Sequence, residues 1–137
     1  MKYLLDTNAC IALINGRPIS VRGQFDRELS RGSEICISSI SVFELWYGVA
    51  KSRRREMSAH LLSGFLSGPL QQLAFDDEDA RFAGDLRAEL ETVGRPIGDY
   101  DLLIAGQALR HKMTLVTANM REFSQVKSLS WEDWSKA

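Results

Sequence analysis

Three carboxylates stand in apolar surroundings where a charge needs a reason. Asp6 follows Tyr3-Leu4-Leu5 and precedes Thr7 and Asn8. Glu44 is the only charged residue between Glu34 and Lys51, inside the run Val42-Phe43-Glu44-Leu45-Trp46-Tyr47. Asp101 opens Leu102-Leu103-Ile104-Ala105. A buried carboxylate is costly without a partner, and three brought together repel until one takes up a proton or a cation joins them. Hard oxygen donors without His or Cys suit Mg²⁺, with Mn²⁺ as the alternative. A site of that kind activates water and stabilises charge on a phosphodiester. The chemistry expected is metal-dependent phosphoester hydrolysis with no covalent nucleophile from the protein.

Each acid also has a cheaper explanation. Asp6 or Thr7 can cap the helix that follows. Ser41-Val42-Phe43-Glu44 fits a capping box, although Ser38 and Ser39 are alternative caps. Gly98 or Asp99 can cap the helix carrying Asp101. On that helix Asp101 shares a stripe with Ile104, Ala105 and Ala108, the face that should pack on a sheet. Asp99 lies roughly 200° away round the axis. The site is therefore assigned Asp101, and Asp99 is left as a cap or an outer helper.

The elements that must position these acids alternate. Tyr3–Leu5 reads as a buried strand, with apolar-periodic Cys10, Ile11, Leu13 and Ile14 after it. A second helical segment runs from Pro18 to about Ser30, and Glu34–Ser38 is strand-like. Ser39–Ala50 is an apolar helix that must be buried or form an interface. Another helix runs from Arg53 to about Leu66, then a short edge strand lies within Leu70–Phe75. A long amphipathic helix spans Asp76 to about Val93, with acids in its first turn. Gly98–Arg110 is helical, Met113–Thr117 is a strand, a helical turn reaches Phe123, and Leu129–Trp131 adds a last short strand. The expected fold is α/β, with a mostly parallel central sheet of four to five strands and helices on both faces.

The 137 residues fit one domain spanning 1–137. With 45% apolar and 26% charged residues, the composition is that of an ordinary soluble protein. No apolar run approaches a membrane span and the N-terminus reads as a strand, so a cytoplasmic location without membrane attachment is expected. Cys10 and Cys36 sit in apolar segments as small hydrophobes, and His60 and His111 stand alone. A net charge of −1 gives no bulk attraction for nucleic acid, so a nucleic-acid partner must be held by a local patch. Lys51, Arg53, Arg54 and Arg55 form the one dense basic cluster, which also suits a solvated face. Trp46, Tyr47, Trp131 and Trp134 are expected to pack in the core or an interface.

Leu5-Asp6-Thr7-Asn8, Ser38–Gly48, Ile97–Ala105 and Leu115–Phe123 together resemble the ordered blocks of the PIN-domain ribonucleases, and more narrowly the VapC toxins of toxin–antitoxin pairs. The resemblance spans nearly the whole chain. It implies a Mg²⁺-dependent endoribonuclease, Mn²⁺ being possible, with metal ligands at Asp6, Glu44 and Asp101. Thr7 would help hold metal or phosphate, and Asn119 would lie in the outer part of the site with Asp99 as an auxiliary. Many PIN domains carry a fourth acid where Asn119 stands, so one well-held ion is expected. The resemblance further implies a homodimer, a VapB-type antitoxin and an RNA substrate, with tRNA favoured. Lys51, Arg53, Arg54 and Arg55 would meet the RNA backbone or antitoxin acids.

Two other enzyme readings and one non-enzymatic reading use the same features. A haloacid-dehalogenase-like phosphatase needs a second acid two positions after the first, where Asn8 stands. A receiver domain needs an acidic pair and a late lysine that are missing. A non-catalytic α/β binding module survives only if the three acids do not meet in space.

Overall fold

The computed structural model describes residues 1–136. Strands β1 (Lys2–Leu5), β2 (Glu34–Ser38), β3 (Gln71–Leu73), β4 (Thr114–Val116) and β5 (Trp131–Glu132) form one sheet in the order β3-β2-β1-β4-β5, every pairing parallel. The helices are α1 (Thr7–Asn15), α2 (Ile19–Ser30), α3 (Ser39–Lys51), α4 (Arg55–Leu66), α5 (Asp77–Thr92), α6 (Asp99–His111) and α7 (Met120–Phe123).

Side-chain alternation along the strands divides the core between the two faces. Tyr3, Leu5, Ile35 and Ile37 pack with Cys10, Leu13, Phe25, Leu45 and Leu62, under α1 to α4. Leu4, Cys36 and Leu115 point the other way, onto Leu86, Leu102, Ile104, Ala105 and Ala108 of α5 and α6. Strands buried on both faces read as short continuous apolar runs, and β1 and β2 do. The Asp101 stripe packs as expected: Ile104, Ala105 and Ala108 are all buried. Cys10 and Cys36 are free and buried, and Trp134 is buried edge-on against Tyr3 with ring centroids 5.2 Å apart.

The connections run outward from β1 to β2 and β3, then return past β1 to β4 and β5. This reversal creates a switch point between β1 and β4, and a parallel α/β sheet opens its crevice outside the carboxyl ends of the strands there. Asp6 follows β1, and Thr117 and Asn119 follow β4. The backbone N–H of Asp6 donates to Val116 O at 3.0 Å, pinning the residue at this edge.

Two boundaries differ from the expectation, and the exposure of one helix is defined. α4 starts at Arg55 rather than Arg53, because Ser52 ends α3 and its hydroxyl accepts the Arg54 N–H at 3.1 Å, holding a turn open. The last strand is Trp131–Glu132 rather than Leu129–Trp131, because Leu129 is spent in the core. Along α3 only Ser41 and Leu45 are fully buried. Phe43, Trp46 and Tyr47 stand 54%, 41% and 57% exposed while Val42, Leu45 and Val49 pack on the core, so α3, expected to be buried or to form an interface, leaves one apolar face uncovered. Among the described residues no helix is long and apolar enough to cross a membrane.

Candidate active site

Asp6 is the N-cap of α1: its carboxylate accepts the Ala9 N–H at 2.7 Å, so the capping explanation holds for it. It is also buried at 4% exposure, which caps rarely are. Burial pushes its pKa up, the hydroxyl of Thr117 and the Ala9 N–H pull it down, and the negative charges of Glu44 and Asp133 raise it again.

Glu44 is no cap. Ser38 caps α3 by accepting the Ile40 N–H at 3.0 Å, which leaves both Ser41 and Glu44 inside the helix and no capping box between them. Glu44 instead accepts a 2.6 Å hydrogen bond from the Thr7 hydroxyl, which also lies 3.0 Å from Ser41 Oγ. The first turn of α1 and the second turn of α3 are thereby joined through polar side chains.

Asp101 lies in the first turn of α6, half-buried. Its pKa is raised to about 7, first by burial, next by a hydrogen bond to Glu122 and that residue's charge, then by the charges of Asp6 and Glu44. Glu122 is the residue that sequence reasoning missed. From α7 it reaches back to the start of α6, where Oε1 accepts the Gly98 N–H at 3.1 Å and Oε2 accepts from Asn119 Nδ2 at 3.2 Å. The hydrogen bond from Asp101, then these two donors, hold Glu122 below the usual carboxylate range against the cost of its burial. Asn119 Nδ2 also lies 3.5 Å from Asp101 Oδ2. A single glutamate on a four-residue helix has no periodicity to distinguish it from a surface charge, so only its neighbours reveal it.

The structure therefore brings Asp6, Glu44, Asp101 and Glu122 to one rim, with Thr7, Ser41, Thr117 and Asn119 among them. The acids are near enough to feel one another's charge, and among the described residues none of these four is salt-bridged to a Lys, Arg or His. Yet no three of the described His, Cys, Asp or Glu side chains are gathered as they stand to hold a metal ion. Each acid is instead turned onto a neighbour: Asp6 onto Ala9, Glu44 onto Thr7 and Asp101 onto Glu122. The donor set nonetheless fits a hard divalent cation, being all oxygen, anionic and lacking a counter-charge. Asp99 is exposed and faces the other way, beside Arg87, Glu91 and Pro96 between α5 and α6. Lys51, Arg53, Arg54 and Arg55 are exposed on the α3–α4 turn, Lys51 Nζ lying 4.9 Å from the Tyr47 ring centre.

A doubly covered parallel sheet with acids at its switch point defines the class. The sequence model of the PIN domain matches residues 3–129, and the chain belongs to that family, in its VapC branch. Among its relatives, the tRNA(fMet)-specific endonuclease VapC of Shigella flexneri is 43% identical over 98% of this chain and 99% of its own. Ribonuclease VapC2 of Rickettsia felis is 42% identical over 99% of this chain and 100% of its own. Two solved structures share the fold. VapBC2 of Rickettsia felis bound to a promoter DNA fragment has a TM-score of 0.91 at 40% identity, covering 98% of this chain and 99% of that one. DNA-bound VapBC of Salmonella typhimurium has a TM-score of 0.89 at 40% identity, covering 98% of each chain.

Proposed function

We propose that this chain is a divalent-metal-dependent endoribonuclease, the toxin of a VapBC-type pair, which hydrolyses RNA phosphodiester bonds in the cytoplasm. One observation carries the reading: acids just after β1 and on α3 and α6 line one rim at the switch point, and among the described residues none is paired with a cation. The charge of Glu44 raises the pKa of Asp6, and the charges of both raise that of Asp101. Full-length likeness to VapC ribonucleases supports it. Asp6, Glu44 and Asp101 are the proposed ligands of one Mg²⁺, Mn²⁺ serving as a substitute. When bound, the cation supplies Lewis acidity toward water and the phosphodiester.

The protein's own groups prepare that chemistry. Asp6 is fixed by the Ala9 and Thr117 donors, and Thr7 orients Glu44. Asp101 must give up the proton it shares with Glu122 before it can act as a ligand, because a coordinating carboxylate is deprotonated. Glu122 and Asn119 then hold that flank of the site from α7. Asp99 points elsewhere and is assigned at most an indirect part.

For the substrate we favour tRNA, since the Shigella relative is named as specific for tRNA(fMet). The basic α3–α4 turn suits the RNA backbone or an acidic antitoxin segment. The uncovered α3 face suits a second copy of the chain, and a VapB-type antitoxin is the inhibitory partner. The test is cleavage of purified tRNA and of an unstructured RNA, with Mg²⁺, with Mn²⁺ and with chelator. Asp101→Asn should lower cleavage by at least about 100-fold, as loss of a group acting in the transition state does. Metal-independent cleavage, or full activity in that variant, excludes the mechanism.

A further inference from the structure

The contacts around Thr7 have a direction. Its hydroxyl carries one proton, and an ionised carboxylate only accepts. The 2.6 Å contact to Glu44 uses that proton, so the 3.0 Å contact to Ser41 must be made with the proton of Ser41. Heavy-atom positions alone leave the donor open between two hydroxyls. The proton count decides it.

We infer that Ser41 is a positioning residue of the acidic site: Ser41 donates to Thr7, Thr7 donates to Glu44, and this one-way relay fixes the Glu44 carboxylate on the rim. Two further observations support the assignment. Ser41 is fully buried, where a hydroxyl without a partner is penalised, and Thr7 is its only side-chain hydrogen-bond partner among the described residues. Ser38 already caps α3, so neither Ser41 nor Glu44 is needed at the helix start. The relay leaves α3, crosses to α1 and returns to α3 one turn later. It thus ties the orientation of Glu44 to the turn that carries Asp6. Hydrogen bonds in such a chain polarise one another, and removing the first donor weakens the second.

The inference rests on the metal-site reading above, and its test separates the two. Ser41→Thr keeps the donor, and Ser41→Val has the same shape without it. Mn²⁺ binding to each full-length chain is measured by titration calorimetry, with a thermal melt of the metal-free protein alongside. Ser41→Thr should bind like the parent. Ser41→Val should bind about 10- to 100-fold more weakly, the usual loss when a partner behind a metal ligand is removed, although the two melt alike. If Ser41→Val does not fold, Ser41→Ala is compared with Ser41→Thr on the same criterion. Equal Mn²⁺ affinity in both variants overturns the relay while leaving the metal site standing. A parent protein that binds no Mn²⁺ overturns both.

Discussion

In the proposed metal site, Asp101 is where the metal-free and metal-bound proteins must differ most. Its carboxyl is held at about 7 by burial, by Glu122 and by the facing acids. Cation binding therefore expels a proton, and affinity should rise as pH climbs through 7 and then level. The same shift sets a stability profile for the metal-free protein. The folded pKa lies above the ordinary 3.8, so the folded state binds the extra proton between those values. Its stabilising contribution is full below about 4 and is lost as pH rises to about 7. Asp6 is shifted in the same direction. Glu122, whose pKa is lowered from 4.5, contributes above that value and loses its contribution as pH falls below it, a separate window. Melts in chelator from pH 4 to pH 8 should show the parent losing Tm relative to Asp101→Asn up to about pH 7. A pH-independent difference between the two proteins would show that Asp101 carries no such proton. This proton was not legible in the sequence. Asp101 itself was, because its stripe with Ile104, Ala105 and Ala108 marked a charge at the rim of a buried face. Glu122, which holds the proton with it, gave no such sign.

Among the elements, α6 has the most to position, and its crossing with α5 does the positioning. A Cβ on Gly106 would come within 2.7 Å of Ala83 Cα and 2.8 Å of its Cβ, so the two helices touch backbone to backbone. One turn on, Arg110 Nη1 reaches Asp76 at 2.6 Å and the fully buried Asp79 at 3.1 Å, and Gln107 Nε2 donates to Asp79 at 3.0 Å. Asp76 and Asp79 in turn close a capping box at the start of α5. Gly106→Ala should force the helices apart at a cost of about 1–3 kcal/mol, read as a lower Tm. Activity should fall with it, because Asp101 rides on the same helix. An unchanged Tm would mean that the crossing yields freely. Local patterns made most elements legible: β2 coincides with the β-branched run Glu34–Ser38, and α6 with the stretch after Gly98. Strand order was not legible, because periodicity reports which face is buried and not what covers it. The acids of the α5 start suited a helix dipole equally well as a surface feature. Only the fold shows Arg110 and Gln107 arriving there from residues about thirty positions away.

As a whole, the molecule presents its proposed RNA substrate with a contradiction: a polyanion must approach an acidic rim on a chain of net charge −1. The proposed cation would offset the rim locally, and the remaining attraction must come from defined patches. Phe43, Trp46 and Tyr47 on α3, with Tyr100 at 46% exposure and 5.7 Å from the Phe43 ring, form an uncovered apolar surface beside the acids. Exposed surfaces of this kind mark interfaces, and a second copy is the proposed occupant. Trp46→Glu should convert a dimer to the single-chain mass by light scattering, and a variant that stays dimeric would move the interface elsewhere. The basic α3–α4 turn borders that surface, Lys51 Nζ lying against the Tyr47 ring, which places Arg53 and Arg54 to meet the proposed RNA substrate. Arg55 Nε is already spent on Ala50 O at 2.9 Å, which leaves Arg53 and Arg54 the more available pair. Replacing both with Ala should raise KM with little change in kcat, since phosphate contacts of this kind act on binding. The dependence of log affinity on log salt should flatten by about 1 to 2, near the value for two phosphate contacts. An unchanged KM and salt slope, accompanied by weaker binding of the antitoxin, would assign the turn to the antitoxin instead.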